Sequence, residues 1–198
     1  MINVRQRHGT SPEDDRAGKT MEPRSSHSYE PDLAPDTSFC EAPPSPDIIV
    51  ADPRWRAAVP GLARRISRTV ATAGRHLDRA RAPTIPLESD RVVRRLNHDF
   101  RGRNKPTNVL TFAAPERGGR EIRDGDIVLG FETVRREARS NGKSIAAHLA
   151  HLVVHGLLHL AGHDHLVAGD ARVMEALETR ILSRLGIANP WRVGGRTT

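Results

Sequence analysis

The sequence predicts an α+β domain in which a small mixed β-sheet is packed by helices around one long, largely apolar central helix. Three observations predict it. Short β-branched runs alternate with segments of helical periodicity, so strands and helices are mixed along the chain. A helical segment from Ile145 to Ala161 is apolar on most of its surface yet carries His148, His151, His155 and His159. The folded pattern begins only near Asp47, after a polar stretch rich in Pro, Ser, Asp, Glu and Arg that ends in Glu41-Ala-Pro-Pro-Ser-Pro-Asp47.

That polar stretch, residues 1–44, reads as a disordered tail, because it cannot bury enough apolar surface to offset its ordering entropy. A single domain follows over 45–192, and 193–198 reads as a loose C-terminal tail. Ile48-Ile49-Val50 predicts a strand. Leu62, Ile66, Val70 and Ala73 recur at helical spacing and predict a helix over 60–73. Thr84–Leu87 predicts a weak strand, which Pro86 would confine to a sheet edge. Ser89 is placed to cap a helix carrying Val92, Val93, Leu96 and Phe100. A polar loop runs over 102–106, a strand over Val109–Phe112, a glycine-containing turn near 117–120, and a strand over Asp126–Phe131. Glu132–Arg139 predicts a short helix that Ser140-Asn141-Gly142 stops. Ser144 caps the long histidine helix, and Gly162 ends it. A last helix covers 170–185, with Val173, Leu177, Ile181 and Leu185 on one face and Gly186 at its end.

Composition narrows the function classes. The 198-residue chain carries a formal charge of +7, which favours a polyanionic partner. Its one cysteine, Cys40, excludes an intrachain disulfide and a cysteine-based zinc site, and suits a reducing cytoplasm. The N-terminus has no apolar core of a secretory signal. Ile145–Ala161 is too short for a membrane span and is interrupted by four histidines. The expected location is therefore the cytoplasm, without a membrane partner.

Six of the ten histidines lie between His148 and His165, and this clustering carries the chemistry. His155 and His159 are four residues apart, so on a helix both imidazoles reach one ion. Gly162 lets the chain leave the helix and fold back, and His165 then supplies a third nitrogen. Three neutral imidazoles suit Zn²⁺, one per chain, at distances of ~2.0–2.1 Å, and leave a fourth position for water, whose pKa zinc lowers to ~7. Asp164 is placed to orient an imidazole by accepting its free N–H. His163 is open to either a fourth-ligand or a supporting role, and His151 extends the same helix face toward a groove. The metalloprotease motif HExxH needs a Glu after its first histidine as general base, and Gly156 stands there. The cluster thus has metzincin-like metal geometry without the protease's base.

His155-Gly-Leu-Leu-His-Leu-Ala-Gly-His-Asp-His165 resembles the HGxLHLxGYDH signature of the YbeY family of bacterial rRNA-maturation endoribonucleases. Leu96–Arg101 resembles that family's LNxxYR, Lys105–Phe112 its PTDVLSF segment, and Gly125–Ile127 its GDI. Met174–Gly186 and Asn189-Pro190-Trp191 resemble its C-terminal helix and ending. The ordered blocks span roughly 48–191. His163 replaces the signature's Tyr, Asn108 its Asp and Thr111 its Ser.

The resemblance implies a zinc held by His155, His159 and His165 in a single α+β domain. It implies single-strand-specific endonucleolytic processing of rRNA, including the 16S 3′ end, and a part in ribosome quality control. Ribosomal RNA and ribosomal subunits are the implied partners. Arg101 is the implied functional residue of the substrate groove. Cleavage builds negative charge on phosphorus, which a guanidinium stabilises through two oxygens at once. Arg103 and Lys105, in what reads as the same loop, are expected to grip backbone phosphates. Two competing readings remain at this point: a hydrolase of another class, and a structural zinc module that binds the ribosome.

Overall fold

A computed structural model describes residues 45–77, 82–114, 123–163 and 168–189. The expected tails at 1–44 and 193–198, and the turn near 117–120, lie outside the described residues. Four strands form one mixed sheet in the order β1-β2-β4-β3. They are β1 (Asp47–Val50), β2 (Ala82–Glu88), β3 (Val109–Ala113) and β4 (Arg123–Gly130). β1, β2 and β4 run parallel, and β3 pairs antiparallel with β4 at one edge. Six helices are described: α1 (Arg54–Ala58), α2 (Leu62–Leu77), α3 (Asp90–Arg101), α4 (Phe131–Ser140), α5 (Ile145–Leu160) and α6 (Ala168–Arg184). The α+β class with a small mixed sheet is as expected.

Strand alternation gives the sheet two different faces. Ile85 and Leu87 of β2, Ile127 and Leu129 of β4, and Val109 of β3 join the main core with residues of α2, α5 and α6. Val128 and Leu110 point the other way and form a smaller cluster with Val93 of α3. So α5 covers one face, α3 covers the opposite face, and β3 is the edge strand between them. α5 sits in the middle of the main core, where Leu149, Leu152, Val153, Val154, Leu157 and Leu158 are all buried. The spacing-derived face of α2 is also correct, since Leu62, Ile66, Val70 and Ala73 are all buried.

Several expectations need correction. β2 is an interior strand, with β1 on one side and β4 on the other, despite Pro86. The two donors missing at Pro83 and Pro86 cost about 0.5–1.5 kcal/mol each, whereas burying Ile85 and Leu87 gains about 1.5–3 kcal/mol each. The ladder shows its irregularity at Pro83, between Ala82 and Thr84. Ser89 is the N-cap residue of α3, but its side chain makes no cap hydrogen bond. Glu132 Oε2 accepts the Asp90 N–H instead, at 2.7 Å, which ties the starts of α3 and α4 together. On α6 the buried stripe is Met174, Glu178, Ile181 and Leu182, while Val173 is exposed. Phe100 is also exposed, its ring meeting Phe112 edge-on at 5.0 Å between centroids. The short helix α1 has no counterpart among the elements expected from the sequence. It buries Trp55 against Phe131, and the indole N–H donates to the Glu88 carbonyl at 3.2 Å.

Candidate metal centre and substrate groove

The histidine helix starts and stops as its sequence requires. The Ser144 hydroxyl accepts the Ala147 N–H at 3.1 Å, capping the N-terminus. At the other end Gly162 has φ of +86°, and His163 N–H reaches back to the Leu158 carbonyl at 3.0 Å. This closure turns the chain off the helix and brings the His163 carbonyl back to His159.

Along α5 the imidazoles form a continuous row. Ring centroids are 6.0 Å apart from His148 to His151, 6.4 Å from His151 to His155, and 4.6 Å from His155 to His159. His155 and His159 are buried, and their Nε2 atoms lie 3.0 Å from each other. The outer nitrogen of each ring is anchored. His155 Nδ1 lies 2.6 Å from Glu178 Oε1, and His159 Nδ1 lies 3.1 Å from the His163 carbonyl.

These anchors decide the tautomers. A carbonyl oxygen only accepts, so His159 Nδ1 carries the proton. Burial pushes the Glu178 carboxyl up, but hydrogen bonds from His151 and His155 outweigh it and hold its pKa at about 2. Glu178 is therefore a carboxylate that accepts from His155 Nδ1. With both rings neutral and Nδ1 protonated, the two Nε2 atoms face each other at 3.0 Å, a contact stabilised by a shared proton or by a metal ion between them. Two nitrogens of a tetrahedral zinc site stand roughly 3.3 Å apart, so a zinc ion fits with little movement. A carboxylate behind one imidazole and a carbonyl behind the other are the usual supports that fix ligand orientation and raise basicity.

Among the described residues, no group of three or more His, Cys, Asp or Glu side chains is arranged to hold a metal ion. The third expected ligand, His165, and the expected supporting residue Asp164 lie outside the described residues. His163 takes part through its backbone carbonyl. His151 Nε2 faces Glu178 Oε2 at 3.4 Å. Glu178 was not foreseen, although a carboxylate inside the apolar stripe of α6 marks it. A second unforeseen carboxylate, Glu137 of α4, lies 2.9 Å from buried His148 Nε2 and accepts from Asn108 Nδ2 at the same distance. Burial pushes Glu137 up, yet the hydrogen bonds from His148 and Asn108 leave its pKa lower than usual.

Gly156 of α5 packs against Ile127 of β4. A Cβ there would stand 2.8 Å from Ile127 Cγ2 and 3.1 Å from its Cδ1. The absence of the protease glutamate is thus imposed by packing: a longer side chain at 156 has no room against the sheet.

Arg101 is the last residue of α3 rather than part of the following loop, and Gly102, at φ +64°, ends the helix. It is half-buried, whereas Arg103 and Lys105 are exposed. Burial and the neighbouring Arg103 charge lower its guanidinium pKa. Two like charges held together at a partly desolvated position form an anion-seeking arrangement. The loop is fixed by Asn97, whose Nδ2 donates to the Lys105 carbonyl at 2.7 Å. Arg101 and the histidines are thus carried by helices on opposite faces of the sheet, with edge strand β3 between. No helix among the described residues is long and apolar enough to cross a membrane.

Comparison with known proteins gives a consistent result. The family model described as Endoribonuclease YbeY matches residues 60–186. A protein of Gluconobacter oxydans named Endoribonuclease YbeY is 54% identical over 154 residues, which cover 75% of this chain and 88% of that one. A second so named, from Paramagnetospirillum magneticum, is 43% identical over 148 residues, covering 70% and 90%. A solution structure from Thermotoga maritima aligns with a TM-score of 0.46 at 22% identity, covering 77% of this chain and 99% of that one.

Proposed function

The chain belongs to the YbeY endoribonuclease family, and from that premise we propose that it is a zinc-dependent, single-strand-specific endoribonuclease of ribosomal RNA. Its proposed tasks include maturation of the 16S 3′ end and a part in ribosome quality control, in the cytoplasm and in contact with ribosomal subunits. The observation that carries the zinc reading is the His155–His159 pair. Its two Nε2 atoms converge to 3.0 Å while both Nδ1 atoms are held from behind. His155, His159 and His165 would hold the ion. When bound, zinc supplies Lewis acidity and lowers the pKa of a coordinated water to ~7.

The chain's own residues supply the rest. Glu178 and the His163 carbonyl fix the imidazole tautomers, so both nitrogens are ready to ligate. Arg101 binds non-bridging phosphate oxygens and offsets the charge that grows on phosphorus, with Arg103 and Lys105 holding adjacent phosphates. Peptide hydrolysis by the HExxH route is disfavoured, because Ile127 fills the space a glutamate at 156 would need. The test is cleavage of single-stranded rRNA fragments by the wild type and by the His155→Ala/His159→Ala/His165→Ala variant. The wild type should cut, and the variant should hold no zinc and not cut. A variant that cuts at the wild-type rate overturns the proposal.

A further inference from the structure

A second basic feature lies away from the histidines and from the Arg101 loop. α2 carries Arg64, Arg65, Arg68 and Arg75 in sixteen residues, with no Asp or Glu. An ordinary solvated helix face interleaves both signs of charge. Between α2 and α6 lies an open cleft of about 470 Å³, lined by Arg68, Ala71, Thr72, Arg75, His76 and Arg184. Among the described residues, its lining holds three guanidinium groups and no carboxylate. Arg75 Nη2 donates to the Thr72 hydroxyl at 3.4 Å, and Thr72 is among the lining residues.

Helix-end electrostatics do not account for the cleft. Arg75 and His76 stand in the last turn of α2, and Arg184 in the last turn of α6. Each helix C-terminus contributes only about half a unit of negative charge, so the three arginines leave an excess of about two positive charges. Arg68 lies two turns before the end of α2, outside the reach of that effect. Guanidinium groups lining one cleft match the oxygens of a phosphodiester.

We propose that this cleft binds backbone phosphates of the RNA strand that runs through the catalytic site. The inference rests on the reading of the chain as an RNA-cleaving enzyme. α6 carries both ends of the path: Glu178, which supports His155, and Arg184, six residues further on. Six residues of helix rise ~9 Å along the axis, so the support of the histidine centre and the cleft sit on one element at neighbouring levels. The cleft touches phosphate only and carries no sequence preference.

The test uses the full chain and a fluorescein-labelled single-stranded RNA with 2′-O-methyl riboses that resist cleavage, shown intact on a gel after each measurement. Anisotropy titrations across a range of salt give the slope of log K against log salt for each protein. Each phosphate that a guanidinium neutralises adds about 0.7 to that slope, so the Arg68→Gln/Arg75→Gln/Arg184→Gln variant should be shallower by about 2. Its zinc content should be unchanged. The corresponding Arg→Lys triple variant should keep the wild-type slope, because charge is retained. A control triple, Arg56→Gln/Arg135→Gln/Arg139→Gln, removes equal charge outside the cleft and should leave the slope near wild type. The proposal is overturned if the cleft variant keeps the wild-type slope or if the control lowers it equally. It is also overturned if the cleft variant loses binding to anionic phospholipid vesicles while its RNA slope is unchanged. A wild type that does not cut unmodified RNA, beside a cleft variant with the expected shallower slope, would refute the functional reading and leave phosphate binding at the cleft standing.

Discussion

Replacing Glu178 by Gln is the sharpest probe of how the histidine pair is held. The side chain is fully buried and accepts from His155 Nδ1 at 2.6 Å while facing His151 Nε2 at 3.4 Å. Glutamine keeps the volume and one acceptor oxygen but removes the charge. A hydrogen bond to an ionised acceptor contributes ~1.5–3 kcal/mol, and a neutral one ~0.5–1.5 kcal/mol, so about 1–1.5 kcal/mol of support for His155 is removed. That support strengthens when His155 shares its other nitrogen with a cation, so the loss falls on the zinc-bound state. Zinc affinity should drop about tenfold, at the lower end of the ~10–100-fold expected for losing such a partner. The metal-free protein should also lose thermal stability at neutral pH, because the depressed Glu178 pKa means that its partners more than offset the burial of its charge. Competition titration against a chromophoric chelator measures the affinity, and calorimetry of the stripped protein measures the stability. Wild-type zinc affinity in Glu178→Gln would refute the reasoning, because the carboxylate would then not be supporting a ligand.

Three further outcomes are expected. Arg101→Ala should keep its zinc and its Tm, since a half-exposed side chain contributes little to folding, while RNA cleavage falls by at least ~10²-fold. Lys at 101 should restore little of that rate, because it cannot bind two phosphate oxygens at once, and wild-type cleavage by Arg101→Ala removes it from the mechanism. Gly156→Ala places a methyl 2.8 Å from Ile127 and should lower stability by ~1–3 kcal/mol, read in a urea melt, with an unchanged midpoint as the opposing result. Asn108→Asp should be destabilised with a definite pH dependence, because it sets two carboxylate oxygens about 2.9 Å apart where Asn108 Nδ2 now donates to Glu137. One carboxyl of the pair would keep its proton to higher pH in the folded state than in the unfolded state. The stability deficit against wild type should therefore be small below about pH 4 and grow as pH rises toward 7, and a deficit that shrinks with rising pH contradicts this pairing.

Local features were legible in the sequence, and tertiary ones were not. The i, i+4 spacing of His155 and His159, the Ser144 cap and the left-handed Gly162 depend on residues a turn or so apart, and the structure has all three. Glu178 comes to His155 from twenty-three residues away, through the packing of α6 on α5. The face expected for the last helix, Val173-Leu177-Ile181-Leu185, is rotated from the buried stripe that contains Met174, Glu178, Ile181 and Leu182. A helix with apolar residues on both sides of its buried stripe leaves that rotation undetermined by periodicity alone. Pro86 did not confine β2 to an edge, because the two donors missing at Pro83 and Pro86 are outweighed by the burial of Ile85 and Leu87. Gly156 reads in the sequence as a missing base, and only the distance to Ile127 shows that the sheet leaves no room for one.

The measurement that tests the central claim most directly is a zinc titration of RNA cleavage. Protein stripped with a chelator is reconstituted in steps, with bound zinc and the cleavage rate on single-stranded rRNA measured on the same samples. The stripped enzyme should be inactive, and the rate should rise linearly and plateau at about one zinc per chain. Cleavage that persists in the stripped protein, or that bears no relation to bound zinc, would contradict the account.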